Sequence, residues 1–276
     1  MRKIFKKILF GLIILPLISI GYFYIGSAPR AEKISWGVNF SQTQATYLGL
    51  DWQETYLSLL NDLNVKKIKI ITNWNHLEPE VGEYDFKDLD WQIAKAKEND
   101  AGIFLTIGMR APRWPECHIP EWAKSLNKQE LQEKVLTLIE KTVLRYQNEK
   151  SIVMWQVENE PFFPFGQCPR TDKGVLKKEI ALVKSLDLQD RPVAISDSGE
   201  WSFWITAASL GDKVATTLHR KIWFKELKSY VLYPLRPVFY WRKAQIIARL
   251  FNKEVIGGEL QAEPWCPGGL NKCSAL

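Results

Sequence analysis

Apolar, strand-like runs alternate with amphipathic helical segments along nearly the whole chain, and that alternation limits the folds open to it. The strand-like runs are Ile34–Phe40, Lys66–Thr72, Gly102–Gly108, Ser151–Val157, Val193–Ser196, Val214–Leu218 and Glu254–Gly258. Helical patterns fall between them at Asp51–Leu63, Asp85–Asn99, Gln129–Gln147 and Val175–Leu186. In the third of these, Leu131, Val135, Leu138, Ile139 and Val143 recur at helical spacing, so one face must be buried. Strands separated by helices pair in parallel through right-handed crossovers. Seven such units in series predict an α/β chain folded as a (β/α)8 TIM barrel over residues 34–276, a fold that usually takes about 250 residues. A doubly wound sheet shares the alternation, but no Gly-rich phosphate loop follows any strand. After the seventh run the sequence ends in NKCSAL, which is not strand-like, so the eighth strand is expected to be missing. Either the chain is truncated or the barrel closes another way, because an unclosed sheet exposes two edges.

The first 33 residues have a different character. MRKIFKK is basic, and Ile8 to Gly26 is a run of 19 residues without a charge. A signal-peptide core is usually about 7–15 residues and a spanning helix about 20, so the length predicts an uncleaved N-terminal hydrophobic helix, with residues 27–33 as linker. The lysines would stay in the cytoplasm and the domain outside. Cleavage at Gly26-Ser27-Ala28, giving a secreted protein, is the other expectation. This segment carries +5 of the net charge of +6, leaving about +1 for the barrel. That balance, with no zinc-finger or RNA-binding signature, argues against a nucleic-acid partner.

The four cysteines, Cys117, Cys168, Cys266 and Cys273, fit an oxidising compartment, match no zinc spacing and allow three disulfide connectivities. Free buried thiols are the alternative. Cys117 and Cys168 follow adjacent strands, so a bridge across the rim is expected, and Cys266 with Cys273 would close the last loop. The three histidines are too scattered for a metal site.

Active sites of such barrels lie at the C-terminal ends of the strands. The residues found there are Asn39 after the first, Trp74, Asn75 and His76 after the second, and Arg110 and Trp114 after the third. Glu158, Asn159 and Glu160 follow the fourth, Asp197 and Glu200 the fifth, His219 the sixth, and Glu259, Gln261, Glu263 and Trp265 the seventh. Carboxylates and aromatic rings dominate, as glycoside cleavage requires: one carboxylic acid protonates the leaving oxygen and a second carboxylate attacks the anomeric carbon. Trp74, Trp114 and Trp265 are read equally as sugar platforms and as packing residues. Glu158, two residues before Glu160, is expected to turn back into barrel packing or a salt bridge.

WQVENEP, around Asn159-Glu160-Pro161, resembles the strand-four motif of glycoside hydrolase clan A. WNHLEPEVGEYDFKDLDW, residues 74–91, is similar to the strand-two region of clan members such as the family 42 β-galactosidases and family 10 xylanases, and IGGELQAEPW resembles the strand-seven segment that bears the nucleophile. The resemblance covers about residues 34–265. It implies Glu160 as acid/base, Glu259 as nucleophile in preference to Glu263, Asn159 on the sugar 2-hydroxyl, and His219 in the strand-six slot, orienting Glu259 or the sugar. The chain departs from the clan in carrying Lys69 where many members have Arg, and a lysine cannot make the bidentate contact.

The resulting expectation is a retaining glycoside hydrolase acting on an extracellular or cell-envelope glycan, with carboxyls about 5–5.5 Å apart, a carbohydrate substrate and no cofactor. The acid, Glu160, should have a raised pKa from burial and the Glu259 charge. The alternative is a non-catalytic carbohydrate-binding or scaffold protein with a degenerate barrel. Residues 222–251, where aromatics mix with Lys and Arg, are expected either as an elaborated loop and helix packed on the barrel or as a membrane-surface segment.

Overall fold

The structure, a computed structural model, describes residues 14–224 and 228–261. Seven strands form one parallel sheet: β1 (Val38–Phe40), β2 (Lys67–Ile71), β3 (Gly102–Ile107), β4 (Ile152–Val157), β5 (Val193–Ser198), β6 (Lys213–Leu218) and β9 (Glu254–Leu260), in that order. The connections run through α1 (Gln42–Tyr47) and α2 (Trp52–Asn61), α3 (Trp74–Leu77) and α4 (Lys87–Glu98), α5 (Lys128–Tyr146), α6 (Lys173–Leu186) and α7 (Ile205–Leu210). From β6 the chain passes through an antiparallel hairpin, β7 (Lys221–Phe224) and β8 (Ser229–Leu232), and then α8 (Pro237–Phe251), before β9. This is the alternating order of a TIM barrel.

Local sequence explains the elements. In β2, Ile68, Lys69, Ile70 and Ile71 are all buried, as expected of a parallel strand covered on both faces. The α5 helix opens with a capping box, in which Asn127 accepts from the Glu130 backbone N–H and Glu130 accepts from that of Asn127. In α4, Asp88 and Asp90 lie in the first turn and Lys95 and Lys97 in the last, matching the helix dipole. Pro237 starts α8, and Asn252, at φ 53°, ends it. The face of α8 that carries Phe239, Lys243 and Ile247 is buried on the barrel. The helix within residues 222–251 thus follows the barrel-packing expectation.

No eighth barrel strand occurs among the described residues, so β1 and β9 are the sheet's edges. Side chains reach across the gap. Asn39 Nδ2 on β1 donates to Gly258 O on β9 (3.0 Å), and Lys69 Nζ on β2 lies 3.3 Å from Glu259 Oε1. These two contacts tie the last strand back toward the first two and leave a curled, incompletely closed barrel.

Residues 14–24 are helical, but among the described residues no helix is long and apolar enough to cross a membrane. Residues 1–13 of the expected anchor lie outside the described residues, as do Glu263, Trp265, Cys266 and Cys273.

Candidate active site

The chain turns sharply at the end of β4. Glu158 and Glu160 both take left-handed backbone conformations, at φ 61° and 40°, which breaks the strand alternation that would aim them to the same side. Glu158 points back under the loop after β3, where its two carboxylate oxygens accept the Met109 N–H (2.8 Å) and the Arg110 N–H (2.7 Å). The expectation that it turns inward holds, but its partners are backbone donors rather than a cation. Gly108, at φ 115°, makes room for it, since a Cβ there would sit 2.3 Å from Glu158 Oε1. Glu158 thus fastens two site loops together.

Glu160 is buried, and its backbone N–H donates to Ser196 Oγ on β5 (2.7 Å). Its carboxyl accepts the Thr217 hydroxyl on β6 (2.6 Å at Oε1). Thr217 is in turn the register partner of Glu259 across the β6–β9 pairing, just after a register irregularity. Parallel partners present their side chains to the same side. Thr217 therefore brings the carboxyls of Glu160 and Glu259 toward one space at the C-terminal end of the barrel. Burial, and next the charge of Glu259, push Glu160 up to about 7. Glu259 has the opposite surroundings, being half-buried beside the Lys69 ammonium.

The Asn159 amide is held on both sides. Its Oδ1 accepts from Gln156 Nε2 (3.1 Å) and Ser196 Oγ (3.1 Å), and its Nδ2 donates to Glu116 Oε2 (3.1 Å). Glu116 is a further buried carboxyl, without a strand-end signal in the sequence because it lies well into the loop after β3. Burial, then the charges of Glu259 and Glu160, push it up to about 8 against the opposing Asn159 bond.

On the other flank, Glu200 Oε1 accepts the His219 N–H (2.9 Å) and the Tyr240 hydroxyl (3.0 Å). Behind it, buried Lys243 donates to Gly199 O (2.5 Å) and lies 3.8 Å over the Trp204 ring. Burial lowers this lysine to about 7, although Asp197 and Glu200 oppose the shift. A lysine amid the apolar stripe of α8 reads in sequence as an exposed cation, which is why it escaped notice.

The remaining expected residues separate. Trp74 is fully buried, donates to Glu78 Oε2 (2.8 Å) and packs edge-on against Trp122, so of the two readings open for it the packing one holds. Asn75 sits beside it, with its backbone N–H on His118 O (2.9 Å). Trp114 is 61% exposed on the rim, edge-on to Phe165. Glu263 and Trp265 cannot be placed, lying outside the described residues.

The rim loops after β3 and β4 are joined by Cys117–Cys168, with Cα atoms 5.3 Å apart and a sequence separation of 51. Cross-linking a loop of that size stabilises by about 4 kcal/mol at most in the chain-entropy view. Reduction should lower the denaturation midpoint accordingly, and non-reducing peptide mapping should recover the pair. Two free thiols at these positions would contradict it.

Buried, raised carboxyls also set a pH trend. Glu116, Glu158 and Glu160 ionise at higher pH in the folded chain than at the ordinary glutamate value of 4.5 in the unfolded one. Their favourable contribution is complete below that value and is lost as pH rises through about 7 and 8. The melting temperature should therefore fall between pH 5 and pH 8, and Glu116→Gln should flatten that fall. An unchanged slope in this variant would contradict the assignment.

Known proteins resemble this chain in sequence and in fold. The family profile described as beta-galactosidase, glycoside hydrolase family 42, matches residues 50–170. Beta-galactosidase BgaA of Clostridium cellulovorans is 24% identical over 178 residues, 53% of this chain and 25% of that protein. A family 10 endo-beta-1,4-xylanase from Gloeophyllum trabeum superposes with a TM-score of 0.60 at 15% identity, over 82% of this chain and 70% of that one. A GH5_18 protein from Bifidobacterium longum subsp. infantis does so at 0.51 and 16%, over 66% and 50%. The fold is a TIM barrel like those of the superposed structures. In this barrel, Glu160 lies three residues beyond the fourth strand and Glu259 lies on the seventh. The chain spans about a quarter of the length of the curated relative it matches.

Proposed function

We propose that the chain is a retaining glycoside hydrolase, with Glu160 as general acid and base and Glu259 as nucleophile. The observation that carries this reading is the Thr217 link: its hydroxyl bonds Glu160, and its strand partner is Glu259. Two carboxyl groups with opposed environments, one buried and raised and one beside a cation, fit the division of labour in glycoside cleavage. Because Thr217 donates to Oε1 of Glu160, the acidic proton belongs on Oε2, free to pass to the leaving oxygen. Glu259 attacks the anomeric carbon as the glycosidic C–O bond breaks, forming a glycosyl-enzyme ester. Glu160, now a carboxylate, takes a proton from water as that water attacks the same carbon and releases Glu259.

The names of the relatives put β-galactosides and β-1,4-xylans first among substrates to test. Full-length protein should hydrolyse at least one member of a panel of aryl β-glycosides and oligosaccharides. For poor leaving groups kcat/KM should be present at acid pH and fall as pH rises through about 7, as protonated Glu160 is lost. A folded protein that binds oligosaccharides without turnover would favour the non-catalytic carbohydrate-binding alternative. The charge-free run Ile8–Gly26 and its basic flank support an extracytoplasmic, membrane-anchored location. Retention of the chain in carbonate-washed membranes would bear this out, and release into the soluble fraction would sink it.

A further inference from the structure

The Asn159 amide offers two N–H bonds, and the structure commits one of them to a carboxyl group that the reaction does not consume. We propose that Glu116 is a positioning residue for this amide, taking one Asn159 N–H so that the other faces the space shared by Glu160 and Glu259, where a sugar 2-hydroxyl would bind. The proposal rests on the glycosidase reading for its ligand, but not for its geometry.

Several features build Glu116 into place. It is 6% exposed, at φ 71°, a conformation that a non-glycine residue holds only when its surroundings impose it. Its carbonyl accepts the Ala111 N–H (2.8 Å), and its N–H donates to Arg113 O (2.7 Å). The next residue, Cys117, is bridged to Cys168, and Gln167 N donates to Pro115 O (2.9 Å). Gly166 packs so closely that a Cβ there would sit 2.6 Å from Glu116 Cβ. The loop after β4 thus presses the carboxyl into the site. With Oδ1 already taken by Gln156 and Ser196, the bond to Glu116 removes the last rotational freedom of the amide. The charged groups that face Glu116 are Glu259, Glu160 and Arg110, and the first two favour its uncharged acid form. An uncharged Glu116 accepts from Asn159 without adding a third negative charge beside the nucleophile.

The test compares full-length wild type, Glu116→Leu and Glu116→Gln, each checked for folding by circular dichroism. The probes are 4-nitrophenyl β-galactoside and its 2-deoxy analogue. Glu116→Leu should lower kcat/KM about tenfold or more on the parent glycoside and about twofold or less on the 2-deoxy analogue, because hydrogen bonds to the 2-hydroxyl strengthen in the transition state. Glu116→Gln, which keeps the acceptor, should recover most of the loss. Equal losses on both probes would mean a merely structural role and overturn the proposal.

A second arm needs no turnover. The side-chain N–H resonances of Asn159 should shift with pH as Glu116 ionises, and this step should vanish in Glu116→Gln. Resonances that ignore both pH and the substitution would overturn the proposal. If the wild type hydrolyses neither glycoside while the Asn159 step is present, the glycosidase reading fails on this substrate and the positioning role stands.

Discussion

Glu160→Gln is expected to lower kcat/KM about 10²- to 10⁴-fold on aryl glycosides with poor leaving groups, the range general acid catalysis supplies. The loss should shrink for a 2,4-dinitrophenyl leaving group, which departs as a stable anion and needs no proton. Glu259→Gln should behave differently. It replaces the nucleophilic carboxylate with an uncharged amide, so the loss should be at least as large and independent of the leaving group. The contrast follows from the environments: the Glu160 carboxyl is buried and held at one oxygen by Thr217, whereas Glu259 faces the Lys69 ammonium. Kinetics on a leaving-group series would check it, and identical profiles for the two variants would contradict the assigned roles.

The second large effect concerns the far end of the barrel. Arg191 is buried before β5, where its Nε donates to Asp187 Oδ1 (2.9 Å) and a second bond from the guanidinium reaches the same oxygen. It also donates to the carbonyls of Tyr146 (3.2 Å), Gln147 (3.2 Å) and Glu149 (2.9 Å), and lies 4.6 Å from the Trp155 ring. Burial pushes Asp187 up, but the Arg191 bonds outweigh it and hold the carboxyl below its ordinary value. One guanidinium thus joins the end of α5, the start of β4 and the turn into β5. Arg191→Ala would leave a buried carboxylate and several carbonyls unpaired, a change that typically costs about 3–5 kcal/mol. Arg191→Lys should lose less, since it keeps the charge and gives up the fork. Denaturant titration at constant m-value measures both. A loss below about 1 kcal/mol for Arg191→Ala would show that the clamp is not stabilising.

The barrel was legible because its strands are short, apolar and separated by helices with one buried face. All seven barrel strands fall within the expected runs or within two residues of them, and the helices expected at Asp51–Leu63, Asp85–Asn99, Gln129–Gln147 and Val175–Leu186 match closely. What escaped depends on tertiary contact. The short helices α1, α3 and α7 have too few residues for a periodic pattern to emerge. The first strand is shorter than Ile34–Phe40, its apolar start at Ile34 and Trp36 being exposed.

At the site, the carboxyls at strand ends were visible because strand ends are where a barrel places chemistry. Thr217 was overlooked although it too ends a strand, because a threonine in a β-rich run is its ordinary residue. Glu116 and Lys243 had no local signal. One lies in a loop and the other on a helix, and each gains its meaning only from groups brought in by other elements. Trp74 was open to either reading, as a platform or as packing, and the short helix α3 turns it inward onto Trp122.

The central claim is that Glu259 forms the bond to sugar opposite Glu160. The direct measurement is mass spectrometric peptide mapping of the full-length chain after incubation with a 2-deoxy-2-fluoro glycosyl fluoride of the sugar that the panel identifies. The fluorine slows both steps, and the activated leaving group lets the first proceed, so a covalent intermediate accumulates. The account predicts one glycosyl adduct, on Glu259, that is absent from Glu259→Gln. An adduct on Glu263, or full turnover without any covalent species, would contradict it.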